Sequence, residues 1–212
     1  MGRRALPKID PALDLSGHFR ETEELPVPFN QVAIFGREAP LEVEVGSGKG
    51  LFLAAASQAF PDRNFLGIEI AHKYARFAAS RLAKLRVPNA KAVCGDALAL
   101  FNKWIPNSSL AAVHVYFPDP WWKKRHRRRR VMNEIFLRDV ERTLIPGGSL
   151  HFWTDVEEYY QTTLELIAQA SPLSGPLAVR ERAPEHDLDY RTHFERRTRL
   201  SELPVYRAEF RK

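Results

Sequence analysis

Leu41-Glu42-Val43-Glu44-Val45-Gly46-Ser47-Gly48-Lys49-Gly50 runs from an apolar strand into a glycine turn, and Leu51-Phe52-Leu53-Ala54-Ala55-Ala56 follows it. Branched residues in the first half favour a pleated strand over 41–45, and the leucine- and alanine-rich run favours a helix over 49–59. Glycines at such a junction let the backbone come close to a ligand and leave amides exposed at a helix start. The spacing is G-x-G-x-G, with Leu51 standing where a dinucleotide-binding turn needs its third glycine. Glu44, just ahead of the turn, repels a pyrophosphate but suits a ligand that carries an ammonium and a sulfonium.

Outward from this stretch the same alternation repeats. Strands are expected at 64–70, 90–94, 110–116 and 149–154, with helices at 71–86, 97–104 and 156–170. Met132, Phe136, Val140 and Leu144 recur every four residues and give a further helix an apolar face, which Pro146-Gly147-Gly148 ends. Beyond Pro172 the pattern weakens to two candidate strands, at 177–182 and 205–210. Successive strand–helix units require a parallel sheet wrapped by helices on both faces. The expected fold class is therefore α/β and Rossmann-like, a mostly parallel seven-stranded sheet closed by a C-terminal antiparallel pair. Residues 1–40, interrupted by Pro7, Pro11, Pro26, Pro28 and Pro40, read as a partly ordered N-terminal extension, and 41–212 as the main α/β domain.

Composition narrows the classes. The 212 residues suffice for one well-buried domain and are short for two. A net charge of +6 favours a polyanionic partner. The single cysteine, Cys94, excludes an internal disulfide and fits a reducing cytosol. The histidines are scattered without metal-ligand spacing, so no metal is expected, and no signal peptide or membrane span is read.

Open α/β sheets bind ligands at the carboxyl ends of their strands. Glu44, Glu69 and Asp96 fall at three successive strand ends, beside Gly46 and Gly48. Each has a plainer reading: the glycines as a tight turn, Glu69 as a solvated strand end, Asp96 as the cap of the helix from Ala97. Together they point to S-adenosylmethionine, with Glu69 on the ribose hydroxyls and Asp96 on the adenine amino group.

The fourth strand runs into Phe117-Pro118-Asp119-Pro120-Trp121-Trp122-Lys123-Lys124-Arg125-His126-Arg127-Arg128-Arg129-Arg130. A carboxylate, two stacking aromatics and dense positive charge side by side suit a nucleobase and its phosphates. Asp119 is the candidate catalytic residue, on a loop stiffened by Pro118 and Pro120. Lys123 either assists it or grips a phosphate. Arg125, His126, Arg127, Arg128, Arg129 and Arg130 read as RNA contacts, because cations clustered at a helix start oppose its dipole unless an anion arrives. Trp121 and Trp122 either stack on a base or pack under the loop. Methyl transfer to a ring nitrogen with a free lone pair needs placement and a matched field rather than a general base. Asp155 either caps the helix after the fifth strand or faces the target. Thr192-His193-Phe194-Glu195 either forms a capping box, T-x-x-E, or closes over the base.

On these motifs the chain resembles the bacterial tRNA (guanine-N7-)-methyltransferases over about residues 41–211. The resemblance implies a class I methyltransferase fold and transfer from S-adenosylmethionine to N7 of guanine 46 in the tRNA variable loop. It also implies a cytoplasmic enzyme, monomeric or homodimeric, with no obligatory protein partner. Carried over by position, Glu44, Glu69, Asp96 and Asp119 line the donor site, with Asp119 the active-site residue. Lys123, Asp155 and Thr192 to Glu195 bind substrate, and Arg125 to Arg130 contact RNA. Trp122, where a variable and often polar residue is expected, and the richness in arginine are small departures. Two other readings compete. Exocyclic-amine methylation calls for a second proline that Asp119-Pro120-Trp121 lacks, and a non-catalytic RNA-binding protein would not need the acids.

Overall fold

The computed structural model describes residues 6–179 and 192–212. Its strands are β1 (Phe19–Glu21), β2 (Leu41–Val45), β3 (Asn64–Glu69), β4 (Ala90–Cys94), β5 (Leu110–Tyr116), β6 (Leu144–Thr154), β7 (Ser174–Leu177) and β8 (Tyr206–Arg211). They form one sheet in the order β1-β4-β3-β2-β5-β6-β8-β7. Neighbours from β1 to β6 are parallel, while β8 pairs antiparallel with both β6 and β7. The helices are α1 (Gln31–Phe35), α2 (Leu51–Ala59), α3 (His72–Leu85), α4 (Ala97–Lys103), α5 (Glu134–Thr143), α6 (Glu157–Ala170) and α7 (His193–Leu200).

The sheet has eight strands among the described residues rather than the expected seven. The addition is β1, which pairs Phe19, Arg20 and Glu21 with Ala92, Val93 and Cys94. Three residues are too few to show a period, so only pairing with β4 reveals this strand. β6 begins five residues earlier than read, at Leu144, and carries Pro146-Gly147-Gly148 within it. Its register against β5 shifts between Leu110 and Ala112, an irregularity that accommodates a proline with no N–H to donate. The strand read at 177–182 lies instead at Ser174–Leu177, and residues 180–182 fall outside the described residues.

α2 starts at Leu51 because Gly46, Gly48 and Gly50 all have left-handed φ values, of 79°, 53° and 68°. At Gly50 a second constraint applies: a Cβ there would lie 2.7 Å from Cβ of Ala78 on α3. Both faces of the sheet are covered, which is why its strands read as continuous apolar runs. On one face Val43, Leu66, Val113, Leu150 and Phe152 share a core with Phe101, Phe136, Val140, Tyr159 and Ile167. On the other, Phe65 and Tyr116 meet Phe52, Leu53 and Leu82 from α2 and α3. Each such side chain contributes about 1.5–3 kcal/mol of burial. β3 and β4 lie on one side of β2, and β5 and β6 on the other, so strand order reverses between β2 and β5. Ligands of open α/β sheets bind at such a point.

Candidate functional site

Glu44 lies at this reversal, in register with Gly67 on β3 and His114 on β5. It is 2% exposed, and its Oε2 accepts no hydrogen bond within the protein. Burial, and then the negative charge of Glu69, push its carboxyl well above the usual carboxylate range. A buried acceptor left unsatisfied costs about 1–3 kcal/mol, and more when charged. Beside it, the Ser47 hydroxyl is also buried without a partner. Sequence reading passed over Ser47, although a hydroxyl inside a glycine turn was itself a signal.

Glu69 is more than a solvated strand end. Its Oε2 accepts from the Gly48 N–H and its Oε1 from the Ala71 N–H, both at 2.9 Å, which locks the glycine turn to the start of α3. Around Gly46, a Cβ would meet nothing within 4 Å, so the turn opens onto space. Asp96 is exposed, and its Oδ1 caps α4 by accepting from the Leu98 N–H at 2.9 Å. The capping reading of Asp96 is thus correct, at the same strand-end level as the other acids. Together these acids offer acceptors to a ligand bearing a cation and hydroxyl groups. Among the described residues no cluster of His, Cys, Asp and Glu could hold a metal ion, and no helix is long and apolar enough to cross a membrane.

The loop after β5 departs from ordinary geometry at Phe117 and Trp121, with φ of 50° and 48°. The Phe117 N–H donates to the Trp153 carbonyl at 2.8 Å, fixing the loop's root to β6. Asp119 and Lys123 are exposed. The two tryptophans divide: Trp121 packs within the loop, edge-on to His126 at 6.0 Å and under the Arg129 guanidinium at 5.1 Å, whereas Trp122 is 67% exposed. Lys124–Arg129 form a 3-10 turn that leaves Arg125, Arg127, Arg128 and Arg129 exposed and His126 half-buried.

Arg130 does not match the expectation of an open phosphate contact. It is 8% exposed, and its Nε donates to the Pro120 carbonyl at 2.8 Å. Its guanidinium pairs with Glu158 at 2.7 Å and lies 4.3 Å over the Tyr159 ring. Arg130 therefore ties the Asp119 loop to α6, a role no local sequence signal carried.

Asp155 is exposed and does not cap α6; the Val156 N–H is taken by Thr154 Oγ1 at 3.2 Å. Thr192 does cap α7, accepting from the Glu195 N–H at 3.0 Å. The His193 side chain lies outside what is described. Phe194 stacks on Phe117, with ring centroids 6.4 Å apart, which brings the start of α7 to the root of the Asp119 loop. Glu195 turns inward, buried against Arg207 at 3.3 Å and Arg199 at 3.5 Å. The structure thus gathers Glu44, Gly46, Gly48 and Glu69 around the glycine turn. It roots Asp119 one strand away, since Val45 pairs with Val115.

The family described as "Putative methyltransferase" matches residues 38–208. A tRNA (guanine-N(7)-)-methyltransferase of Rhodopirellula baltica is 52% identical over 218 residues, spanning 100% of this chain and 80% of that protein. The chain belongs to the tRNA (guanine-N7-)-methyltransferase family. Members so named from Aeromonas hydrophila, 36% identical over 81% of this chain and 73% of that protein, and Alcanivorax borkumensis, 38% identical over 79% and 70%, are similar to it as well. Beyond the tRNA (guanine-N7-)-methyltransferases, solved structures share its class I methyltransferase fold. A tRNA methyltransferase from Aquifex aeolicus superposes with a TM-score of 0.52 at 20% identity, over 82% of this chain and 62% of that one. An aminoglycoside-resistance methyltransferase does so at 0.51 and 18%, over 84% and 89%.

Proposed function

We propose that this chain methylates N7 of guanine 46 in the tRNA variable loop, giving 7-methylguanosine, with S-adenosylmethionine as donor. The observation that carries the reading is Glu44: a buried acceptor without a donor, at an open glycine turn, one strand from Asp119. The donor supplies an electrophilic methyl group on a sulfonium, together with an ammonium, ribose hydroxyls and an adenine. Glu44, as a carboxylate that has released its proton to solvent, would accept hydrogen bonds from the ammonium. Glu69 keeps a lone pair on each oxygen beyond those engaged by Gly48 and Ala71, and these would accept from the ribose hydroxyls. Asp96 receives the adenine amino group.

Guanine N7 has a lone pair and no proton, so Asp119 serves by placement. It accepts from the N1–H and the exocyclic amine and aims N7 at the methyl group. Lys123, Arg125, His126, Arg127, Arg128 and Arg129 hold phosphates, with Trp122 exposed for stacking. Asp155 and the Thr192–Glu195 turn flank the base, Glu195 acting through the Arg207 pair that seats α7. Residues 41–212 are the methyltransferase domain and 1–40 an N-terminal extension, a reading supported by the match of 38–208 to the family. The enzyme acts in the cytoplasm as a monomer or homodimer, without an obligatory protein partner.

Incubation with methyl-labelled S-adenosylmethionine and unmodified tRNA, followed by nucleoside analysis, tests this reading. Label should appear in 7-methylguanosine, and label in another nucleoside overturns the assignment. Asp119→Ala should abolish turnover while weakening donor binding far less.

A further inference from the structure

β1 and the turn after it reach both acidic corners of the site. Glu21 closes the pairing with Cys94, and Thr22 begins a short 3-10 turn beyond it. The Thr22 hydroxyl donates to the Cys94 carbonyl at 2.7 Å. The N–H of that same peptide unit, on Gly95, donates to the Glu69 carbonyl at 3.1 Å. The Cys94–Gly95 peptide is therefore clamped from both sides, immediately before Asp96. Glu69 in turn holds Gly48 through its side chain. Packing agrees: a Cβ built on Gly95 would run into the Thr22 hydroxyl, so any larger residue there must displace that side chain. The same segment grips the other corner. Glu21 pairs with His72 at 3.2 Å, and the Phe19 ring sits edge-on to the His72 ring at 5.7 Å. His72 is the first residue of α3, directly beyond the Glu69 turn.

We infer that Thr22 is a positioning residue for the methyl donor: its hydroxyl sets the Cys94–Gly95 peptide, and with it the reach of Asp96 and Glu69. This rests on the donor site proposed above. The N-terminal segment then forms the outer wall of that site, although it precedes every methyltransferase motif in the chain.

Calorimetric titration with S-adenosylmethionine and tRNA steady-state kinetics test it together. Thr22→Val removes the donated hydrogen bond and keeps the shape, so the donor Kd should rise about fivefold, the worth of one net hydrogen bond. The KM for tRNA should stay unchanged, and Thr22→Ser should restore donor affinity to within about twofold. An unchanged donor Kd in Thr22→Val overturns the inference, as do equal losses for donor and tRNA, which mark a general structural defect. Gly95→Ala provides a second route. It should weaken donor binding by crowding Thr22, and adding Thr22→Ala should recover part of the loss; purely additive losses also overturn the inference. Wild-type protein that binds no S-adenosylmethionine overturns the functional reading and this inference together. Normal wild-type binding matched by Thr22→Val overturns the inference alone.

Discussion

Glu42 and Glu44 project from the same face of β2, two residues apart, and both are buried, at 6% and 2% exposure. Around Glu42 the protein completes every interaction. His114 Nε2 lies 2.7 Å from one carboxylate oxygen, and Arg63 donates to the other at 2.5 Å. His114 also meets the Tyr116 hydroxyl at 2.9 Å and stacks on His151 at 4.8 Å. Burial alone would push Glu42 up, but His114 and then Arg63 outweigh it and hold the carboxyl at about 2. Glu44 has no such partners and shifts the other way. A void also lies beside Glu42: a cavity of about 510 Å³, which His114, His151, Glu209 and Arg211 also line, opens at the amino ends of β2, β5 and β6. Two of its charge pairs are already matched, Arg63 with Glu42 and Arg211 with Glu209 at 2.8 Å. Unmet hydrogen-bonding capacity, more than empty volume, distinguishes Glu44 from Glu42.

The largest expected effect is on stability. Glu42→Ala leaves His114 and Arg63 without their shared carboxylate, and should lower the unfolding free energy by about 3–5 kcal/mol in urea titration. Donor affinity of the folded fraction should hold; a parallel loss would mean that the two glutamates form one unit. Glu44→Gln should do the reverse, weakening donor binding about ten- to a hundredfold, as for a hydrogen bond to a charged group. It should also raise the melting temperature of the ligand-free protein at pH 8. Glu44's folded pKa is raised from 4.5, so its contribution to stability is complete below pH 4.5 and is lost as pH rises through the raised value. Glu42's is lowered, so its contribution is present above pH 4.5 and is lost as pH falls towards 2. Opposite pH slopes of the wild-type-minus-variant stability difference at the two positions would confirm the contrast, and matching slopes would break it.

The same division recurs in the basic run, with smaller effects. Arg128 and Arg129 are exposed, while Arg130 is committed to Pro120 and Glu158. Alanine at Arg125, Arg128 and Arg129 should reduce the slope of log tRNA affinity against log salt by roughly 0.7–0.9 per lost phosphate contact. Arg130→Ala should leave that slope alone and lower kcat by loosening the Asp119 loop. A salt slope that responds to Arg130 would place it on the RNA after all.

Much of this was legible along the chain. Apolar runs of strand length separated by helical periods specify a parallel sheet, and acids placed just after those runs must stand at its carboxyl edge. The Asp119 loop announced itself because prolines, tryptophans and arginines rarely crowd together without a use. What stayed hidden depended on distant partners. β1 is too short to carry a period and exists through β4. Asp96 and Thr192 fulfilled their local capping patterns, while Asp155 did not, because α6 starts one residue later, behind Val156, with no side-chain cap.

Leu41-Glu42-Val43-Glu44-Val45 contains two glutamates in near-identical surroundings, and chain order alone establishes only that both lie on one face of a buried strand. Which acid is fully paired and which keeps an unpartnered oxygen was decided by tertiary structure. His114, 72 residues away, arrives beside Glu42, and nothing arrives at Glu44 Oε2. The reason is physical: a strand's own residues set the direction of a side chain, but the charge state of a buried carboxyl depends on what other strands bring within hydrogen-bonding reach.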